Sequence, residues 1–274
     1  MCPGAPFLVK GTAPAIARQV PDLLAACGEA LDRLPAADRT LLIGSWRPAR
    51  DGGSAGGSGG GADQTWRVFR PGTVVRTCVT RGDTAGGRGR GNAGQSTGDG
   101  AVSLPGDIGR DDSADDAAGP SEPSVATLVG AHLLCAARHA TPTTALEVSA
   151  RGSAPGSADI PPGLNTDGSD RVTVLVIADG AACHGDSAPG RRDDRSDAFD
   201  ATLARALASG DPAALGDACR NPDLPADEVM ASVDPLALLA DLTRSAPPDA
   251  ADLLYSGAPF GVGYFVSSWR WNRV

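Results

Sequence analysis

Residues Val172 to Ala178 read Val-Thr-Val-Leu-Val-Ile-Ala, an apolar run broken by one hydroxyl and no charge. A strand that is apolar without alternation is buried on both faces, which points to a parallel sheet with helices packed against it. Thr40-Leu41-Leu42-Ile43-Gly44 is a second such run, ending near Ser45-Trp46, and Ala145 to Ala150 reads as a third strand. Helical spacing lies before, between and after them. Asp22 to Leu34 repeats Leu23, Leu24, Cys27, Leu31 and Leu34 on one face, and Pro35 stops it. Ser124 to His139 carries Val125, Leu128, Val129, His132, Leu133 and Ala136 as one stripe, and Ser196 to Ser209 turns Phe199, Leu203 and Leu207 inward. Asp197 and Asp200 favour the N-terminal dipole of that last helix. Further helices are expected near 211–219, 226–232 and 235–244. Ala5 to Val9 should be the first ordered stretch, and Trp66 to Thr80 suits two short strands around Pro71-Gly72. The chain closes with Leu253-Leu254-Tyr255, a loop from Ser256 to Gly261 and a strand from Val262 to Val266. This alternation predicts an α/β fold with a largely parallel central sheet.

The remainder is loop-like, because 36 glycines and 22 prolines are spread through 274 residues. Flexible insertions are expected near 51–63, 81–123 and 151–170, where too little apolar surface exists to offset the entropy of ordering. Hydrophobic residues reach 41%, enough for one core, while aromatics are only 4%, so packing rests on Ala, Leu and Val. The formal charge of -9 repels a phosphate backbone, which argues against nucleic acid as a partner. No run approaches the roughly 20 apolar residues of a spanning helix, so no membrane partner is expected. The start, Met1-Cys2-Pro3-Gly4, has neither a charged n-region nor an apolar h-region. Six cysteines are scattered without a Cys-x-x-Cys pair, which suits reduced thiols in a cytoplasmic protein.

Gly89-Arg90-Gly91-Asn92-Ala93-Gly94-Gln95-Ser96 matches a dinucleotide pattern, but no strand leads into it and no helix leaves it, so it is read as chance. Of three histidines, His132 and His139 belong to one helix, the first at the edge of the core and the second near the helix C-terminus. His184 lies past the carboxyl end of the most buried strand, close in sequence to Asp179 and Asp186. Ligands of open α/β sheets sit at that edge. An imidazole beside a carboxylate there can act as an acid or base, and His184 with Asp179 is the candidate catalytic pair; an exposed loop histidine is the alternative. Cys183 could be a nucleophile, although no second histidine is near in sequence to activate it. Arg191 to Arg195 reads as a solvated charge run that caps the next helix.

The loop Asp179-Gly180-Ala181-Ala182-Cys183-His184-Gly185-Asp186-Ser187-Ala188-Pro189-Gly190 resembles that of the LigB-type class III extradiol ring-cleavage dioxygenases. The string from Leu253 to Val266, with Ser256-Gly257-Ala258-Pro259-Phe260-Gly261 at its centre, resembles the closing loop and strand of an actinobacterial branch of that superfamily. Cys2-Pro3-Gly4-Ala5-Pro6-Phe7-Leu8-Val9 resembles its N-terminal Cys-Pro-His-Pro-Pro segment, with Gly4 where histidine is expected. The resemblance implies a single domain over residues 1–274, a three-layer α/β/α sandwich in which Fe(II), held by two histidines and a carboxylate, binds a catechol and O₂. His184 matches the histidine that shuttles protons. The first iron histidine falls on Gly4, the second on about Ser45 or Trp46, and the third ligand near Ala231 to Asp234, where only Asp234 could bind metal. Ser45, Trp46, Pro259, Phe260 and Gly261 are the expected substrate-binding positions. The relatives carry apolar residues before their Cys-Pro segment, so either the first strand is shortened here or the start codon lies further upstream.

Two of the three ligand positions lack a donor, and ligand number and type set metal affinity. The expectation is therefore a degenerate iron site with no cofactor and a residual small-molecule pocket, Fe(II) being implied only if the family chemistry survives. One alternative is a working dioxygenase that recruits His132 or aspartates as unusual ligands. Another is a non-catalytic scaffold whose acidic loop contacts partners.

Overall fold

The computed structural model describes residues 1–45, 67–69, 123–148 and 171–272, the segment 67–69 by its backbone. The insertions expected at 51–63, 81–123 and 151–170 lie outside these residues except for Pro123, as does Trp46. In chain order the elements are α1 (Pro14–Ala17), α2 (Pro21–Asp32), β1 (Arg39–Ser45), β2 (Arg67–Phe69), α3 (Val125–Ala136), β3 (Thr143–Val148) and β4 (Val172–Val176). Then follow α4 (Ser196–Ser209), α5 (Pro212–Cys219), α6 (Asp234–Thr243), β5 (Ala250–Gly257) and β6 (Tyr264–Arg270).

The protein is a mixed α/β structure built on three parallel strands. β1 pairs in parallel with β3 on one side and β4 on the other, with Ile43 opposite Leu146 and Val176. β2 adds to the far side of β3 in the antiparallel sense. The apolar runs sit centrally because successive side chains leave a strand on opposite faces. Leu41, Ile43, Leu146 and Val176 share a core with Phe199, Leu203 and Leu207 of α4, Leu215 of α5 and Leu236 of α6. Leu42, Ala145, Leu175 and Ile177 share another with Leu23 and Cys27 of α2 and Val129, Leu133 and Leu134 of α3.

Local chemistry sets the helix ends. Ser124 accepts from the Thr127 N–H at 3.3 Å, and Asp211 accepts from the Ala213 N–H at 2.8 Å, each satisfying an amide that the helix itself leaves free. Gly210, at φ 67°, takes the left-handed conformation that ends α4. Gly130 lets α3 settle on the sheet: a Cβ there would meet Leu42 Cδ1 at 2.4 Å.

The first ordered stretch, Ala5 to Val9, holds a single 3-10 turn at residues 6–8. Three expectations change. Residues 226–232 are turns rather than a helix: Glu228 N, Met230 N and Ala231 N close local turns onto Pro225 O, Asp227 O and Ala226 O, while Val229 O accepts from Ala182 N at 2.8 Å and Ser232 N donates to Asp179 O at 3.0 Å. Ser256 and Gly257 belong to β5, and the last strand runs from Tyr264 to Arg270, since β5 and β6 pair as an antiparallel hairpin. That hairpin joins the sheet through the N-terminus. Cys2 N donates to Val176 O at 2.9 Å while the Met1 ammonium donates to Ser267 O at 2.7 Å, so this segment has β4 on one side and β6 on the other. No helix among the described residues is long and apolar enough to cross a membrane.

Candidate functional site

Beyond β4 the chain reaches the carboxyl rim of the sheet, and two separate polar groupings form there. Asp179 builds the first. Its carbonyl accepts from Ser232 N, and its carboxylate Oδ1 accepts from Gly4 N at 2.9 Å. Gly180 N donates to Gly263 O and Gly263 N to Ala181 O, both at 2.7 Å, which carries Tyr264 alongside Asp179. Burial pushes the Asp179 carboxyl up to about 6 against the opposing Gly4 hydrogen bond, and burial likewise raises the Tyr264 phenol, with Asp179 adding to it.

His184 builds the second. Its backbone N–H donates to Gly261 O at 3.2 Å, so the Pro259–Gly261 turn lies against it. The ring does not face Asp179: Nδ1 lies 3.0 Å from Asp197 Oδ1 and Nε2 lies 2.7 Å from Asp200 Oδ2. Asp200 Oδ1 also accepts from Ala181 N at 2.9 Å. Burial raises the Asp200 carboxyl, opposed by the Ala181 N–H and by His184. A ring with a carboxylate at each nitrogen donates from both only when it carries both protons. The Asp197 side chain is 91% exposed and that of Asp200 only 12%. Nε2 is therefore anchored to a fixed carboxylate while the Nδ1 side can open to solvent, the logic of a base oriented by a buried acid.

The two groupings flank β6 on opposite faces. Tyr264 belongs to the core of α2 and α3, whereas Phe265 belongs to that of α4 to α6, beside Asp200 and Gly180. The candidate pair His184 and Asp179 is thus split, and Asp200 takes the place expected of Asp179.

Other candidates fall out as follows. Ser45 ends β1 at the same rim, half-buried, and Trp46 lies outside the described residues. Phe260 holds φ 60° and meets Phe7 edge-on at 6.0 Å between centroids. Gly261, at φ 77°, is required as glycine because a Cβ would lie 2.5 Å from Ala188 Cα and 2.7 Å from His184 O. Asp234 opens α6, where its charge suits the helix N-terminus. Cys183 is buried, and burial followed by the charge of Asp193 raises its thiol, which works against a thiolate nucleophile. His132 Nε2 accepts from Lys10 N at 3.2 Å. α3 passes Gly44 at Thr127 and Leu42 at Gly130, and His139 reaches Thr40 at 2.6 Å, so His132 lies past the helix midpoint, away from the carboxyl rim. The run 191–195 is a solvated network, with Arg195 paired to Asp193 and Glu228.

Sequence reasoning missed Asp200 as a partner, although a signal existed. Asp200 lies four residues after Ser196 and three before Leu203, on the buried stripe of α4, where a carboxylate needs a polar neighbour. It also missed Glu147, fully buried near the end of β3, which accepts from Ser124 N at 2.5 Å before α3 begins.

Two of the three positions to which the resemblance assigns iron ligands meet at Asp179, since Gly4 and Ser232 both hydrogen-bond it. The donors do not fit the metal. A Cβ on residue 4 would lie 2.9 Å from Asp179 Oδ2, so a carboxylate already fills the space a ligand side chain there would need. Among the described residues no three His, Cys, Asp or Glu side chains are grouped to hold a metal ion. No protein-family model matches the sequence, and a search of curated proteins finds no match.

Burial of Asp179 carries a pH signature. Its folded pKa of about 6 lies above the ordinary carboxylate value, so the native state holds this proton more tightly than the unfolded chain. The associated stability is present below about pH 4 and is lost as pH rises through about 6. Asp179→Asn is expected to stabilise the protein at pH 7.5 by about 1–2 kcal/mol, discounted for the partial solvent access of a half-buried residue. Urea titrations of both proteins at pH 4.5 and 7.5 check it; a gap that fails to widen with pH contradicts the assignment.

Proposed function

We propose that this protein is a cytoplasmic, LigB-like α/β/α sandwich related to the class III extradiol dioxygenases, with a degenerate iron site and a residual small-molecule pocket at the carboxyl rim. The Gly4–Asp179 contact carries the reading. In the pattern it resembles, residue 4 would present a histidine; here its N–H binds a carboxylate whose second oxygen fills the side-chain space. Ser232 against Asp179, and Gly261 against His184, support the same gathering of the N-terminal segment, the loop after β4 and the C-terminal turn. What this chain's own residues can do is limited and definite. Asp200 fixes the His184 ring, Asp197 guards its outer nitrogen, and Asp179 can take or give a proton near pH 6.

The test is anaerobic loading of the full chain with Fe(II), dialysis, metal analysis and assay against a panel of catechols. The expected result is iron well below one equivalent and no ring-cleavage product. Stoichiometric iron together with cleavage overturns the degeneration of the site.

A further inference from the structure

Cys2 stands in the short segment that pairs with the end of β4, and Cys27 lies on the buried face of α2. Parallel pairing with Ile177 turns the Cys2 side chain to the same side of the sheet, into the core that Ile177 shares with Leu23 and Cys27. Both cysteines are deeply buried, at 1% and 3% exposure, and the Cys27 thiol donates a hydrogen bond to Cys2. Sulfurs that share a hydrogen bond already face each other, the orientation from which a disulfide forms. The backbone on both sides is fixed. Cys2 N donates to Val176 O at 2.9 Å, Ala178 N donates to Cys2 O at 3.2 Å, and Cys27 sits within a twelve-residue helix. The hydrogen bond from Cys27 holds the Cys2 thiol below its ordinary value against the effect of burial, whereas donation to Cys2 and burial push the Cys27 thiol up. Cys2 is the readier nucleophile of the two.

We propose that Cys2 and Cys27 are a redox-modification site: a hydroperoxide converts them to a reversible disulfide that locks the N-terminal segment onto α2. The Cys2 sulfur attacks a peroxide oxygen, the O–O bond breaks, and the leaving oxygen takes the thiol proton away as an alcohol or water, giving a sulfenic acid. The Cys27 sulfur then attacks the Cys2 sulfur. The S–S bond forms, the S–O bond breaks, and the departing hydroxide takes the Cys27 proton as water. The two sulfurs together lose two electrons and the peroxide gains them. Burial selects the partner, since a sulfenic acid out of reach of bulky external thiols meets first the sulfur it already touches. The consequence reaches the candidate site, because Gly4, whose N–H holds the Asp179 carboxylate, lies two residues along the chain from Cys2.

The test treats the full native chain with a small molar excess of hydrogen peroxide, unfolds it, blocks the remaining thiols with iodoacetamide and maps tryptic peptides by mass spectrometry. Cleavage at Lys10, Arg18 and Arg33 leaves Cys2 in residues 1–10 and Cys27 in residues 19–33, so their cross-link has a mass of its own. The expected result is these two peptides joined, two hydrogens lighter than their sum, and separated again by dithiothreitol. The cross-linked chain should melt about 5–10 °C above the reduced one, because closing residues 2–27 into a loop restricts the unfolded state. In Cys27→Ala, peroxide should leave Cys2 as a sulfenic acid that dimedone traps, with no rise in melting temperature. Recovery of both cysteines as free thiols from the oxidised parent, a cross-link from either to a different cysteine, or a melting temperature that falls on oxidation overturns the assignment.

Discussion

Gly263→Ala should lose about 4 kcal/mol of folding stability, the sum of two ordinary penalties that one methyl group imposes together. A Cβ at residue 263 would lie 1.9 Å from Asp200 Oδ2 and 2.7 Å from Asp200 Cγ. The backbone cannot retreat, because Gly263 is pinned by hydrogen bonds of 2.7 Å to both Gly180 and Ala181. Asp200 must therefore swing out, leaving the buried Ala181 N–H without its acceptor and His184 Nε2 without its anchor. Urea denaturation followed by circular dichroism measures the loss. A loss under about 1 kcal/mol, the range of an ordinary surface substitution, would falsify the packing described for this glycine.

Asp200→Ala should cost about 3 kcal/mol for a related reason: it strips a buried amide and a half-buried imidazole of one shared acceptor. Asp200→Asn should cost less, since its carbonyl oxygen can still accept from Ala181 N. The two sites are coupled in a way that a double-mutant cycle resolves. Once Asp200 is alanine, the methyl at 263 meets no carboxylate, so the double variant should be little less stable than Asp200→Ala alone. Additive losses would mean that Gly263 is needed for something other than Asp200. The His184 ring gives an independent reading: its NMR resonances should shift in Asp200→Ala and in Gly263→Ala alike, and by less in Asp197→Ala, whose carboxylate touches Nδ1 but is open to water.

The strands that build the parallel sheet were legible because their burial is written as uninterrupted apolar runs. Val172 to Ala178 and Leu41 to Ile43 have no polar face to spare, and the structure places them side by side. The helices α2, α3 and α4 were legible for the same reason at a different period, and Ser124 announced the start of α3. Residues 226–232 misled because their composition allows a helix, while in the fold they close local turns and give the Val229 carbonyl and the Ser232 amide to the loop 179–182. The β5–β6 hairpin was seen only in part, since β5 is half-buried along its length and shows no clean alternation.

At the rim, sequence placed His184 at the carboxyl end of the most buried strand and set the Pro259–Gly261 turn among its neighbours, and local order alone sufficed for the first of these. Which carboxylate reaches the imidazole was decided only in three dimensions. Asp179 is nearer in the chain, but alternation about the strand sends its carboxyl to Gly4, while the first turns of α4 bring Asp197 and Asp200 onto the ring. Periodicity records which side of its own element a residue faces; it carries no information about what another element, far away in the chain, brings to that side.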